Sequence, residues 1–473
     1  MAKCAAKPAS GSKARASPAP TRNTASLPCT PSTVMTLPNA SPSAVGCASC
    51  LTMPVPPARS SRTITPWTPT VACTPGAASM AGNQAGSKSD VLIIGGGIMG
   101  ASSAFFLRRR GCSVTLLERD QIGQYASGVN FGNVRRQGRY LGQLELANRS
   151  WALWKRLPEL IDDDLEFIPS GHMRVCYRED EIAELEAYAA APEAAQLDLQ
   201  IYRGAELHKR FGFLGPDVKG GSYAPHDGHA NPRLAAPAFA RAARRLGARI
   251  EERTEVADVE KVNGLFHVTT TDGQLFVAEQ LLITAGAWAA RLSERFGEPV
   301  PLEPNGPQMS VTEPVPYALP TVIGVFTKIK EEVIYFRQIP RGNIIIGGGN
   351  RCTPDMINRR AYFKPESLLN QMRQMRRLLP GAEKLNIIRV WSGIESYTPD
   401  SLPVMGPSGA VDGLFYAFGF CGHGFQLGPG VGDVMAELIS TGSTSTLISP
   451  FDIRRFTQPS TVPASAPTTG KLI

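Results

Sequence analysis

The sequence predicts an α/β chain, α+β overall, in which a nucleotide-binding sheet is interrupted by an inserted, mainly antiparallel one. Three stretches carry that prediction. Residues 90–118 read as strand, glycine turn, helix and a second strand ending in an acid, 307–348 breaks into short β-type runs, and 414–440 contains a glycine-rich strand-to-helix junction. Within the first, 91–94 is an unbroken apolar run of strand length. Gly95, Gly97 and Gly100 spell GxGxxG around Ile98 and Met99, and 101–107 reads as a helix packed on the sheet. The first glycine permits the tight turn, the second lets backbone approach a pyrophosphate, and the third lets helix and strand pack closely. The helix N-terminus then faces the phosphates, as in a Rossmann-type dinucleotide site. Glu118, after the 113–117 strand, is placed to accept hydrogen bonds from ribose hydroxyls, with Arg119 beside it. An acid there repels a 2′-phosphate, so FAD or NAD fits better than NADP.

Composition bounds the rest. A chain of 473 residues with 42% hydrophobic content is long enough for two domains with sizeable cores. The formal charge of +8 suggests nucleic acid or anionic membrane, but its distribution does not. Residues 1–88 hold eight Lys/Arg and no acid, which leaves 41 basic and 41 acidic residues in the remainder. No nucleic-acid partner is expected from that balance. Five of the nine cysteines also lie in this N-terminal stretch; Cys112, Cys176, Cys352 and Cys421 are widely spaced and read as reduced thiols. Cys47 and Cys50 form CxxC with no second pair or histidine, and His226 and His229 form HxxH on a loop with no acid partner, so no metal site is expected. Residues 1–86, rich in Ala, Ser, Thr and Pro, are expected to be disordered. Their basic character resembles a transit peptide, but the prolines spoil its amphipathic helix; the preferred expectation is a non-native or misassigned extension, with the true start near Met80. A cytoplasmic location follows, mitochondrial being the alternative. No apolar run reaches the roughly 18 residues of a membrane span.

In order, 121–140 is a long glycine-rich loop in which Ser127, Asn130 and Arg135 either face a phosphate or flavin edge or belong to an ordinary surface loop with Arg135 and Arg136 solvated. Helices are expected at 141–160, 179–191, 231–247, 365–379 and 431–439, the last started by Pro429 with Asp433 in its first turn. Strands are expected at 171–177, 220–224, 249–253, 256–262, 266–270 and 274–284, with Asp272-Gly273 as a hairpin turn. The segment LLITAGAW puts Ala285, Gly286 and Trp288 at a strand's carboxyl end, where open α/β sheets bind ligands. A second set, 307–312, 321–326, 333–337 and 343–348, forms the inserted sheet. There a period of two places Val333, Tyr335 and Arg337 on one face, as a carboxylate clamp or as a sheet-surface ion pair. Gly419, Gly422, Gly424 and Gly428 crowd the last junction, whose helix N-terminus suits an anionic ligand edge.

Taken together, GGGIMG with Glu118, SGVNFGNVR, TAGAW, TPDSLPVMGP and GFCGHGFQLGPGVG resemble the D-amino-acid oxidase-like family of FAD enzymes, which includes glycine, sarcosine and opine oxidases. The resemblance covers residues 90–439. It implies an FAD-binding domain made of 87–140, 226–303 and 386–445, a substrate domain made of 141–225 and 304–385, and a flexible tail over 446–473. It implies that Gly95, Gly97, Gly100 and Glu118 hold the ADP half, that Ser127, Asn130 and Arg135 lie along the pyrophosphate and flavin, and that Val256 meets adenine near Ala285, Gly286 and Trp288. Gly422, His423, Gly424, Phe425 and Gln426 would line the flavin ring. His423 is then either a general base or, as preferred, a positioning group.

Two departures stand out. Where glycine oxidase-like members carry a carboxylate-binding arginine, Trp391-Ser392-Gly393-Ile394-Glu395 has Glu395, a variant resembling opine oxidase β-subunit-like dehydrogenases. No cysteine lies in 391–399, where monomeric sarcosine oxidases attach flavin, so FAD is expected to be non-covalent. The implied activity is a flavoprotein oxidoreductase oxidising the α C–N bond of an amino acid or secondary amine, with O2, the respiratory chain or a partner subunit as acceptor. The alternative is a catalytic subunit of a hetero-oligomer, inactive alone. Deleting residues 1–79 is expected to leave FAD binding unchanged; loss of bound yellow flavin from the purified truncation would refute that reading of the N-terminal stretch.

Overall fold

The computed structural model describes residues 87–456. The expectations for 1–86, including Cys47, Cys50 and the start near Met80, lie outside the described residues. The opening motif forms the parallel strands Ser87–Ile94 and Val114–Leu117 around the helix Ile98–Arg109. They belong to an eight-stranded sheet whose parallel core runs Leu414–Phe418, Leu275–Ile283, Ser87–Ile94, Val114–Leu117, Arg249–Glu251. Its members thus come from three separated parts of the sequence. Strand Val404–Pro407 caps one edge, and the meander Val256–Val262, Leu265–Thr270 pairs antiparallel on Leu275–Ile283. Strands buried on both faces read as continuous apolar runs, which is why 91–94 was legible.

Helices Ile98–Arg109 and Pro232–Arg245 cover one face, where Phe105, Phe106 and Phe239 meet edge-on or tilted at 5.0–6.2 Å. The second sheet has ten strands and is antiparallel except where Val322–Val325 runs parallel to His172–Cys176. Its central order is Glu303–Pro314, Asn343–Asp355, Ile334–Gln338, Val322–Val325, His172–Cys176, Gly220–Ala224. Helix Pro365–Leu378 packs on it through Met375 and Leu378.

Several local expectations need correction. The helix expected at 141–160 is two, Leu144–Trp154 and Leu157–Ile161, because Pro158 sits in the second one's first turn. The strand expected to stop at 348 continues as Asn343–Asp355, paired first with Glu303–Pro314 and then with Arg360–Tyr362. The last helix is Gly424–Thr441, with Pro429 inside it rather than at its start. The ladder opens beside it: in place of a Gly430 N–H to Gln426 carbonyl bond, Ser150 Oγ donates to the Gln426 carbonyl at 2.6 Å and accepts from the Gly430 amide at 3.0 Å, while Trp154 Nε1 also donates to Gln426 O. Asp433 therefore lies beyond the first turn and pairs with Arg149 and Arg110. Of the tail expected to be flexible from 446, the part to 456 packs down, burying Phe451 and Ile453.

The 121–140 loop is pinned rather than solvated. Arg136 is 1% exposed and pairs with Asp227, itself fully buried, at 3.3 Å; Asp227 also accepts the Arg136 and Gln137 amides. The Arg136 guanidinium lies 4.1 Å from the Trp151 ring centroid. His229 is likewise buried, not on a solvated loop, because Gly228–His229 pairs with Asn133–Val134. Removing one partner of a buried pair leaves the other uncompensated, so Asp227→Ala should cost about 3–5 kcal/mol. Urea unfolding followed by tryptophan fluorescence checks this; an unchanged midpoint would mean that the pair is dispensable.

Candidate active site

A cavity of about 490 Å³ is lined by residues of both sheets. All the cofactor-binding candidates lie on its wall except Gly100, which packs behind the turn. A Cβ at Gly100 would collide with the Gly95 carbonyl, and Gly95 has a φ of +110° that only glycine adopts readily. The Glu118 carboxylate accepts the Gly96 amide at 2.7 Å and the Asp120 amide at 2.8 Å, fixing the turn while keeping lone pairs for a ligand. Burial pushes its pKa up, and the two amides draw it back. Ser127 Oγ accepts from the Ile98 amide at 2.9 Å, so a hydroxyl occupies part of the helix N-terminus that suits an anion. The Arg119 guanidinium lies 4.4 Å from the Trp288 ring centroid, beside Tyr125. These groups offer a flat, π-rich wall.

At the other end, the cavity receives the N-terminus of Gly424–Thr441, with His423 in the capping position. Burial first, then Arg139, Arg135 and Arg174, hold the His423 imidazole well below its ordinary 6.5, so it is neutral at physiological pH. Arg139 Nη2 donates to the His423 carbonyl at 3.2 Å. A neutral ring there orients ligands better than it takes protons. Arg139 and Arg174 are each pushed down by burial to about 9, with neighbouring Arg135 adding to the effect.

The substrate-side candidates separate. Tyr335 and Glu395 line the cavity; Arg337 does not. Although two residues apart on one strand, Tyr335 and Arg337 are divided by Phe131, whose ring lies 4.8 Å from the Tyr335 ring and 5.4 Å from the Arg337 guanidinium. Arg337 Nε donates to the Phe131 carbonyl at 2.8 Å, and its Nη1 lies 3.0 Å from His229 Nδ1. It faces a separate small pocket with Glu166, so neither the expected Tyr335–Arg337 clamp nor a surface ion pair forms. Burial and Arg337 push His229 down to about 3. Arg351, near the end of Asn343–Asp355, takes the place expected of Arg337. Its guanidinium lies 5.5 Å from the Tyr397 ring centroid, and its buried Nη1 has no hydrogen-bond partner. The Tyr397 hydroxyl donates to Glu395 at 3.0 Å; burial pushes Glu395 up, while Arg351 and Tyr397 draw it back.

The family model for FAD-dependent oxidoreductases (DAO) matches residues 90–438. The chain belongs to that family. Glycine oxidase of Geobacillus kaustophilus is 30% identical over 77% of this chain and 97% of its own. An opine oxidase subunit of Agrobacterium tumefaciens is 28% identical over 78% of this chain and 97% of its own. L-proline dehydrogenase of P. horikoshii, a solved structure, superposes with a TM-score of 0.72 at 28% identity, covering 79% and 98% of the two chains. The protein is accordingly an FAD-dependent amino-acid or amine oxidoreductase.

The walls fit FAD. The glycine turn, Glu118 and the Arg119–Trp288 surface suit an ADP moiety, and the second helix N-terminus suits the electron-rich edge of a flavin ring. Cys421 lies on the wall with φ +51°, held by Thr398 and raised in pKa by burial, so it is a poor nucleophile. Arg139, Arg174, His172 and Arg351 were not selected from sequence; only Arg139, in the same loop as Arg135, carried a signal. Glu118→Ala removes two charge-assisted bonds and should weaken FAD binding roughly 10–100-fold. Fluorescence quenching of FAD titrated with apoprotein measures it, and unchanged affinity would rule out Glu118 as part of the site. No helix among the described residues is long and apolar enough to cross a membrane.

Proposed function

We propose that the protein oxidises the α C–N bond of an amino acid, either a D-amino acid or a glycine-, sarcosine- or opine-type amine. Bound FAD supplies the hydride acceptor, at N5. The α-carbon gives up a hydride and the nitrogen a proton, which passes to solvent, as the C=N bond forms; water then hydrolyses the released imine to a carbonyl compound and ammonia or an amine. The observation that carries this reading is half-buried Arg351, on the wall with a buried, unpartnered Nη1 near Tyr335 and Tyr397. A guanidinium held that way selects a carboxylate. Glu395 on the same wall accepts the amine N–H, orienting the α-carbon. His423 positions the ligand.

A second reading, a catalytic subunit of a hetero-oligomer, draws support from the relatives named as subunits. It draws further support from exposed Ile357, Tyr362, Phe363 and Leu369 on one sequence stretch. Size-exclusion mass with co-expressed neighbours separates the two, and full turnover by the lone chain removes it.

Anaerobic bleaching of the yellow protein by D-amino acids, N-methyl amino acids or opines tests the main proposal, and failure with the whole panel overturns it. Arg351→Met should lower kcat/KM for the responding substrate by roughly 100-fold or more, since a buried charge contact is lost.

A further inference from the structure

The cavity is electrostatically one-sided beyond the flavin-binding walls. Arg135, Arg139, Arg174 and Arg351 all line it, the first three beside His423; of its lining carboxylates Glu118, Glu255, Asp258 and Glu395, the first three lie by the GxGxxG turn or on the 254–259 stretch, and Glu395 lies with Arg351. The three guanidiniums beside His423 have neutral partners. Arg135 donates to the Gln137 carbonyl, Arg139 to Gln143 Oε1 and two carbonyls, and the Arg174 guanidinium lies 4.5 Å from the Phe326 ring centroid. The buried acid of that region, Asp227, pairs with Arg136; its charge also reaches Arg135 and Arg139, where burial outweighs it, and does not figure at Arg174. Three buried guanidiniums on one wall repel one another and have given up hydration, a cost that an anion placed against them offsets. The FAD pyrophosphate belongs at the other helix N-terminus, beside Ser127.

The geometry points to a substrate with two carboxylates, one held by Arg351 and Tyr335, the other by the Arg139–Arg174 wall, with the amine between them at Glu395. This rests on the α C–N oxidation proposed above and narrows its substrate class. The second carboxylate belongs either to the nitrogen substituent, as in an imino-diacid, or to the amino-acid side chain. Glu395 ceases to be an obstacle in this arrangement, because it faces the cationic amine rather than either carboxylate. A pocket that pairs buried donors with a second carboxylate discriminates strongly against ligands lacking it, since those donors are then left unpaired.

The test uses the FAD-loaded full chain. Iminodiacetate represents the first source and D-aspartate and D-glutamate the second, with N-methylglycine and D-alanine as monocarboxylate counterparts. At least one dicarboxylate should exceed its counterpart in kcat/KM by roughly 100-fold. Arg174→Gln should collapse that ratio, mainly through KM, and Arg174→Lys should restore part of it. Equal use of mono- and dicarboxylates, or a ratio untouched in a folded Arg174→Gln variant, overturns the inference. A turnover-free arm titrates succinate against acetate and follows the flavin visible band. Tighter succinate binding without oxidation of any amine supports the paired anion sites while overturning the proposed reaction. Equal binding without oxidation overturns both.

Discussion

Three glycines on one helix set the geometry on which the site depends. Along Gly424–Thr441, Cβ atoms at Gly428, Gly430 and Gly432 would come within 2.6 Å of Ile98, Ser150 and Ser102 side-chain carbons. Their absence lets this helix lie directly against Ile98–Arg109 and Leu144–Trp154, close enough for Ser102 Oγ to donate to the Gly428 carbonyl at 2.9 Å. Two helix N-termini consequently open into one cavity, at Gly97 and at His423. Each brings partial positive charge and free amides. An elongated, multiply anionic cofactor is the ligand that uses both.

The buried cations divide by what faces them. Arg136 has Asp227, Asn148 and the Trp151 ring, and it ties the 121–140 loop to strand and helix. Its neighbour Arg135 is also buried but lies on the cavity wall instead, as do Arg139 and Arg174. One guanidinium stabilises the loop, while Arg135 and Arg139 are presented by it. A loop that carries both kinds needs a rigid anchor, because an unanchored one would swing its uncompensated charges into water.

The cofactor half was legible because its chemistry is mostly backbone. Glycines, an acid at a strand end and small residues after a strand constrain the chain locally, so sequence order alone locates them. The substrate half depends on which side chains meet across strands, and there local periodicity misled. Spacing put Arg337 beside Tyr335, yet Phe131, over 200 positions earlier, separates them. Arg351 was hidden for a related reason: the run of three glycines at 347–349 reads as a strand end. In the fold, Gly347 makes room for the Tyr335 ring, and the strand continues to carry Arg351 to the cavity. Pro429 misled similarly, since Ser150, which bridges the helix ladder beside it, is a tertiary contact.

Glu395 shows how a local departure acquires its sense from a distant residue. Read alone, an acid in the 391–395 segment argues against carboxylate binding. With Arg351 facing the same space from another strand, the wall becomes a dipole rather than an anion. A zwitterionic amine is recognised by opposite charges held apart, and the two groups are held on separate strands. Arg351 stands opposite Pro307 of Glu303–Pro314, and Glu395 stands opposite Asn305 of the same long strand. Glu303–Pro314 therefore sets the separation between the two charges, on which the proposed recognition of an amino acid depends.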